Sequence, residues 1–555
     1  MRGRGRGRER GMEQAASRGI GDEALVAVDE QDAQTSDYAG GSKGPSVMSD
    51  KFNEPNVIIP LAMSYDTRGL GARAYINAFP GGKDQRKVNC YYQLIRNAIT
   101  GQITIEIVKR PGIKDSGKTF GESGYTQYCI SNVLSSESAG SWVAYSNGST
   151  TKIADGSTVG SITSTKIPVY LDKTIISGTP TAILQLRATS GAPPAYDTYY
   201  STSVGTWTLI NDAVYAGLTH VGKIESLDGF SFVMTNNNRI YNFNINSISV
   251  MSATNFITKQ IQQDRACGLA LYKNTILSFG AETVEFFRNA GNPSGSPLSA
   301  IPQMAEKIGM GLLGDPNQLG SVTSTTSYTA TLGGKLYFVG RKGGSALLNM
   351  SVFAYNGTTF EKVSTGAIDR IISDINTGYI YAICSVSFYG ESAIAIQLSA
   401  PGTATQQWLM YFPDRNDWFE WNSDVFSPIN DGRFFLSSAT SATKSYRFQA
   451  ASADTWQDDA TTFGMGIQFR IPKKGNDRDF MRWCALDADT TTTASNVTVK
   501  FSDDDYQTFD AGRTIDINTK EKRLMRCGSY KSRVVYLEHS GNLEFRARNF
   551  LARIE

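Results

Sequence analysis

From Phe52 onward, apolar and polar residues alternate in short runs that end at turn residues. Gln102-Ile103-Thr104-Ile105-Glu106-Ile107-Val108 alternates cleanly and stops at Lys109-Arg110-Pro111-Gly112, where proline and glycine do not fit inside a paired strand. Asn56 to Leu61 reads as a strand, placed at a sheet edge by Pro60, and Val497 to Phe501 as another. Arg533–Leu537 and Leu543–Arg548 read as a closing hairpin around Ser540-Gly541-Asn542. A period of two with this punctuation belongs to half-buried strands, and stretches of helical period are almost absent. The pattern predicts an all-β chain.

The middle of the chain repeats one theme: a turn, an apolar strand, a second turn and an aromatic-rich strand. One copy is Asp228-Gly229 followed by FSFVMTNNNRIYNFNI; a second runs from Leu269 to Asn289; a third is Gly333-Gly334 with KLYFVG and then SVFAYNGTTFEKVST. A fourth joins YAICSVSFYGESAIAIQLS to QQWLMYFPDRNDWFEWN, and a fifth is Asp431-Gly432 with RFFLSSATSATKSYRFQ. Their starts lie about 40 to 65 residues apart, close to the spacing of propeller blades. No copy could bury both of its own faces, so the copies are expected to stack as a β-propeller-like array of antiparallel blades. The alternative is a series of hairpins in a sandwich.

Four regions are expected: a disordered Arg/Gly-rich tail over 1–50, strands joining the propeller over 51–112, a β insertion or outer domain over 113–208, and blades over 209–555. Few large apolar residues in the tail offset the entropy of ordering. The third region is rich in Ser, Thr, Gly and Tyr with weak alternation, though Asn147-Gly148 and Asp155-Gly156 are hairpin signals. At 555 residues the chain exceeds one ordinary core, which a repeating fold accommodates.

Composition agrees: Gly 53, Tyr 26 and Phe 27 suit many short strands. A net charge of +2 argues against an electrostatic nucleic-acid binder, although Arg2, Arg4, Arg6, Arg8 and Arg10 could grip phosphate or a partner's negative rim. No apolar run reaches the roughly 18 residues of a membrane helix, and the N-terminus lacks a signal-peptide core, so synthesis in the cytoplasm is expected. Cys90, Cys129, Cys267, Cys384, Cys484 and Cys527 lie far apart without a Cys-x-x-Cys pair, and are expected to be reduced and mostly buried. His220 and His539 are the only histidines, neither with a second ligand at metal spacing, and no metal or cofactor is expected.

Candidate chemistry is sparse. Gly309-x-Gly311-x-x-Gly314 spells a dinucleotide-type string without the flanking strand and helix, and reads as a loop between blades. Ser502, Asp504, Thr508 and Phe509 form a degenerate Asp box, with Tyr506 in place of the usual glycine and Phe509 in place of tryptophan. Such a box is structural: the aspartate accepts bonds from the turn and the aromatic is expected to pack between blades. Glycosidase or sialidase chemistry needs converging carboxylates or an arginine cluster with a tyrosine, and no spacing singles out such a set. No catalytic residue is assigned.

Several segments together resemble the tail nozzle proteins of short-tailed bacteriophages, also called packaged-DNA stabilisation proteins or tail accessory factors. These are QRKVNCYYQLI (Gln85 to Ile95) with Lys109-Arg110-Pro111-Gly112, ILSFGAETVEFFRNAG (Ile276 to Gly291), GGKLYFVGRKGGSALLNMSVFAYNGTTFEKVST, and SDDDYQTF followed by LMRCGSYKSRVVYLEHSGNLEFRARNF. They occur in the family's order across most of residues 80–555. The resemblance implies a non-enzymatic virion subunit: a ring of six copies below the portal and an adaptor ring, retaining packaged DNA and conducting it during ejection. A needle or plug would close its end, and spikes or fibres would dock on its sides. The alternative is a host-surface glycan-binding or glycan-cleaving propeller of a tail fibre or spike.

Overall fold

The computed structural model describes residues 55–61, 86–96, 103–134, 140–189, 195–262, 264–310, 328–343, 350–373, 382–398, 406–438, 443–448, 456–473, 477–504 and 507–555. Nearly all of their regular structure is antiparallel strand; the two short α-helices among them are Ala213–Ala216 and Gly366–Ser373.

Among the described residues, seven sheets succeed one another as blades. Six are continuous in sequence, running from Thr126–Asn132 to Val159–Thr163, from Ile167–Ile176 to Thr206–Leu209, from His220–Leu227 to Met251–Thr258, from Ala266–Tyr272 to Leu298–Ala300, from Ile308–Gly309 to Phe360–Lys362, and from Ala382–Phe388 to Asp417–Ser423. Their strands meet at tight turns written in the sequence. Asp228 and Gly229 both take positive φ (52° and 80°) between His220–Leu227 and Phe230–Thr235, and the predicted turns at Gly148 and Gly156 do reverse the chain within the first blade. The seventh blade differs. Phe426–Asn430, Phe435–Ser437 and Lys444–Phe448 supply three strands, and the fourth is Ile113–Thr119, from before the first blade.

Each neighbouring pair of blades shares buried apolar side chains, and the series closes. Trp142 and Ile153 of the first pack with Leu184 and Leu186 of the second. Ile183 meets Val233 and Tyr241; Met234 and Ile240 meet Leu269 and Ile276; Phe279 and Phe286 meet Phe338 and Tyr355. Tyr337 and Val352 pack on Ile394 and Leu409, Trp408 on Phe426, and Leu436 of the seventh blade on Val143 of the first. At roughly 1.5–3 kcal/mol for each fully buried large side chain, these interfaces are the main force holding the ring. This is a seven-bladed β-propeller, which leaves no free edge between its first and last blades.

Glycines mark where backbones touch. A Cβ on Gly309 would lie 2.4 Å from the Glu282 nitrogen, and one on Gly340 would lie 2.5 Å from the Gly309 oxygen. The fourth and fifth blades meet there backbone to backbone, so Gly309 is an inner-edge strand residue, whereas the sequence suggested a loop. Gly311 and Gly314 lie outside the described residues.

Apart from the small hairpin Gln457–Asp458 with Thr461–Thr462, the remaining described strands form a sandwich from both ends of the chain. One layer runs Cys90–Arg96, Ile103–Lys109, Arg546–Ile554, Asp479–Ala488 and Arg523–Met525, with Val57–Pro60 also on Arg546–Ile554. The other holds Lys87–Val88, Met465–Arg470, Val534–His539, Asn496–Ser502 and Arg513–Asp516. Lys87–Val88 pairs in parallel with Asp417–Ser423 through Val88 and Glu420, making that layer continuous with the sixth blade.

Three expectations are corrected by this pairing. Within residues 51–112, strands Val57–Pro60, Lys87–Val88, Cys90–Arg96 and Ile103–Lys109 join the C-terminal strands in the sandwich, and Val88, Tyr91, Tyr92 and Arg110 also meet the sixth blade. Residues 113–208 are no insertion: they hold the ring-closing strand and the first two blades, whose Ser- and Thr-rich outer strands masked the alternation. The blades end at Phe448, and the expected closing hairpin does not form. Val534–His539 pairs within one layer and Arg546–Ile554 within the other, because each strand already has two partners there. The chain crosses between layers with Phe545 buried, its ring stacked on His539 at 5.0 Å. The expected tail over 1–50, with Arg2, Arg4, Arg6, Arg8 and Arg10, lies outside the described residues.

Candidate functional site: a charged corner of the sandwich

The Asp box forms, but on the sandwich. Strand Asn496–Ser502 ends at the box, and the chain returns as Arg513–Asp516 alongside it. Asp504 accepts bonds from the Ser502 hydroxyl (2.8 Å), the Thr508 amide (2.9 Å) and the Thr508 hydroxyl (2.5 Å). These donors favour its ionised form, the Thr508 hydroxyl most, and hold its pKa down to about 2. Phe509 packs on Tyr536 of the same sheet at 5.9 Å, so it does not wedge between blades as expected. Tyr506 lies outside the described residues.

Beside the box lies a group that spacing did not reveal. Arg533 is buried and grips Asp503 with both arms of its guanidinium, at 2.7 Å each. Its plane sits 4.7 Å from Phe501 and 4.5 Å from Tyr530, and it donates to the Cys527 carbonyl. Arg513 donates to the neighbouring Arg526 carbonyl at 3.3 Å. Cys527 lies on the edge segment after Arg523–Met525, turned inward by positive φ at Arg526 (57°) and Gly528 (80°). Its sulfur lies 3.7 Å from that of Cys484, in the adjacent strand Asp479–Ala488. Hydrogen bonding with Cys484, aided by Arg513 and Arg533, lowers the Cys527 thiol, while that same bond and burial push Cys484 well up. All six cysteines are thiols, and all but half-buried Cys384 are buried.

A second charged node joins sandwich to propeller. Arg110, fully buried, pairs with Asp458 through both arms (2.9 and 2.5 Å), donates to Asn89 Oδ1 (3.0 Å) and to the Asn422 carbonyl (2.9 Å), and stacks 3.6 Å from Phe463. Ser423 of the sixth blade donates to the same Asp458 carboxylate at 2.8 Å. Lys109 next to it donates to the Gly541 carbonyl at 2.6 Å, and burial lowers its pKa to about 7. The Lys-Arg-Pro-Gly turn therefore pins the joint besides ending a strand.

Neither histidine belongs to a site. His220 meets the Tyr215 carbonyl at 3.1 Å and His539 the Ser495 hydroxyl at 2.8 Å; burial lowers them to about 4 and about 3. Among the described residues no three His, Cys, Asp or Glu side chains form a metal-ligand set, and no helix is long and apolar enough to cross a membrane. An open cavity of about 750 Å³ beside helix Gly366–Ser373 is lined by Lys342, Phe353, Phe360, Lys362 and Asp369. Its one lining carboxylate, Asp369, is paired with Lys362 at 2.5 Å. A smaller cavity of about 320 Å³ holds Asp489 and Glu544, paired with Arg548 and Arg546 at 2.9 and 2.5 Å.

No family model matches the chain, and no curated protein matches it. Among solved structures it is similar to BamB from Moraxella catarrhalis (11% identity, 59% of this chain and 99% of that one, TM-score 0.32). It is also similar to an exo-beta-1,3-galactanase from Phanerochaete chrysosporium (9% identity, 69% and 95%, TM-score 0.28). Likenesses this distant carry no argument about function.

Proposed function

We propose that this chain is a structural subunit of a short-tailed phage tail nozzle, forming a six-membered ring below the portal and adaptor that retains packaged DNA and conducts it at ejection. The observation that carries the reading is closure. Strand Ile113–Thr119 completes the last blade from ahead of the first, and both arms of the chain then lock into one sandwich on the sixth blade. Opening the wheel requires breaking strand pairs between segments more than 300 residues apart in sequence. That construction suits a part that must resist outward pressure. The ordered nozzle-like segments, from Gln85 to Phe550, supply the particular role. The described cavities lend no support to catalysis, since their carboxylates are tied up in ion pairs.

The test is imaging. Negative-stain microscopy of the purified chain with its adaptor ring is expected to show six-fold rings, and labelled virions to carry it on the DNA exit path. A chain that stays monomeric at every concentration and is missing from the tail sinks the reading. Release of sugar from host polysaccharide would instead favour the glycan-cleaving alternative.

A further inference from the structure

The geometry points to a modification site that nothing above uses: Cys484 and Cys527 form an oxidant-sensitive dithiol that closes to a disulfide across the edge of the sandwich. The sulfurs lie 3.7 Å apart without a bond. A disulfide needs about 2.05 Å, so they must approach by about 1.7 Å. Much of that movement can come from the Cys527 side, because its segment is the outermost of its layer and, among the described residues, has strand pairing with Asp479–Ala488 alone. Edge segments open locally at lower cost than interior strands, which also admits a small oxidant to a sulfur that is otherwise buried.

The two thiols are unequal in the way the reaction requires. Cys527 is hydrogen-bonded with Cys484 and faces Arg513 and Arg533, which lowers its pKa and makes it the nucleophile. Cys484 keeps its proton at neutral pH and resolves the intermediate. With a peroxide as oxidant, the Cys527 thiolate attacks one oxygen; the S–O bond forms, the O–O bond breaks, and hydroxide leaves and takes a proton to become water. Cys484, losing its proton, then attacks the Cys527 sulfur; the S–S bond forms, the S–O bond breaks, and a second water leaves. Two thiols and one peroxide give one disulfide and two waters, the sulfurs having lost two electrons to the peroxide.

The staple ties the penultimate stretch of the chain to the strand that pairs directly with its C-terminal strand, at Cys484 and Ala552. If the nozzle reading holds, the pair stays reduced in the cytoplasm and closes once the particle reaches oxidising surroundings. The chemistry itself does not depend on that reading.

The experiment uses the full-length chain. It is treated with hydrogen peroxide, blocked with an alkylating agent and digested without reductant. The expected product is a linked Cys484–Cys527 peptide lighter by two hydrogens, at least ten-fold enriched over pairs with any other cysteine and lost on adding dithiothreitol. Cys527→Ala is expected to abolish the linkage and leave Cys484 unmodified; Cys484→Ala is expected to trap Cys527 as a sulfenic acid that reacts with dimedone. Both thiols still alkylated after saturating peroxide, or linkage to other cysteines at equal yield, overturns the proposal. The wild-type digest alone decides it should either variant fail to fold. Because the isolated chain is assayed, failure here leaves the ring reading standing, and failure of ring assembly leaves this pair standing.

Discussion

The propeller and the sandwich use the same strands and turns but are assembled in opposite ways. In the first five blades every strand pairs with neighbours from the same short stretch, and the joints between blades are largely apolar, as with Phe279 against Phe338 at 4.9 Å. In the sandwich, Ile107 pairs with Ala547 and Val57 with Ala552, and the joint to the propeller is built on a buried ion pair. Local pairing has a small loop-closure cost; distant pairing has a larger one and is offset only when many partners lock together. The sandwich should therefore be the region that polar substitutions loosen first, and the propeller the region that resists them.

The largest expected effect comes from breaking the joint. Arg110→Ala leaves Asp458 buried without its partner and should cost about 3–5 kcal/mol in urea unfolding, as should Asp458→Ala. Hydrogen exchange should then rise in Asp479–Ala488 and Arg546–Ile554 before it rises in the blades. Equal loss of protection in both regions would break the comparison.

The two histidines sharpen it, since His220 lies in a blade and His539 in the sandwich. Each is held neutral when folded, so the unfolded chain takes up its proton first as pH falls. Stability is then complete above about pH 6.5 and declines toward pH 4 for His220, by roughly 3 kcal/mol, and toward pH 3 for His539, by roughly 5 kcal/mol. Urea midpoints across this range should slope less in His220→Gln and in His539→Gln than in the wild type; unchanged slopes would refute the assignment.

Ring closure is expected to be less sensitive. Buried Gln127 of the first blade donates to the Phe120 and Lys444 carbonyls, both at 3.0 Å, and accepts from the Ser437 amide at 2.8 Å, stitching first blade to seventh. Gln127→Ala should cost about 1–3 kcal/mol and raise exchange along Ile113–Thr119. The smallest effect is expected at the exposed Asp box. Asp504→Asn should leave the urea midpoint within error while speeding exchange of the Thr508 amide. In the wild type that protection should persist down through the ordinary carboxylate range and fade only as pH falls through about 2, where Asp504 gains its proton.

Much of the propeller was legible in the sequence. Asp228-Gly229 reverses the chain as a two-residue turn, Asn147-Gly148 and Asp155-Gly156 reverse it within four-residue loops, and all five aromatic repeats are blades. The first two blades were harder to see, because strands such as Tyr196–Ser203 carry Ser, Thr and Tyr on a half-exposed face. The Asp box was recognisable by composition, yet its place was not: the same Asp-centred turn forms at any hairpin corner, in a blade or a sandwich layer. Cys484 and Cys527 gave no signal at all, since a separation of 43 residues says nothing about two sulfurs brought together by sheet edges.

Alternation and turn chemistry determined, by themselves, that this chain makes hairpins and that several must stack, because a strand's two faces and a turn's positive φ are local properties. Tertiary structure alone decided which edges meet: that Ile113–Thr119 completes the seventh blade, that Arg546–Ile554 ignores its neighbour Val534–His539 for strands hundreds of residues away, and that Arg110 finds Asp458. Backbone hydrogen bonds are the same for every partner. The choice among partners is made by which apolar faces and buried charges can all be satisfied at once, and that is a property of the assembled fold.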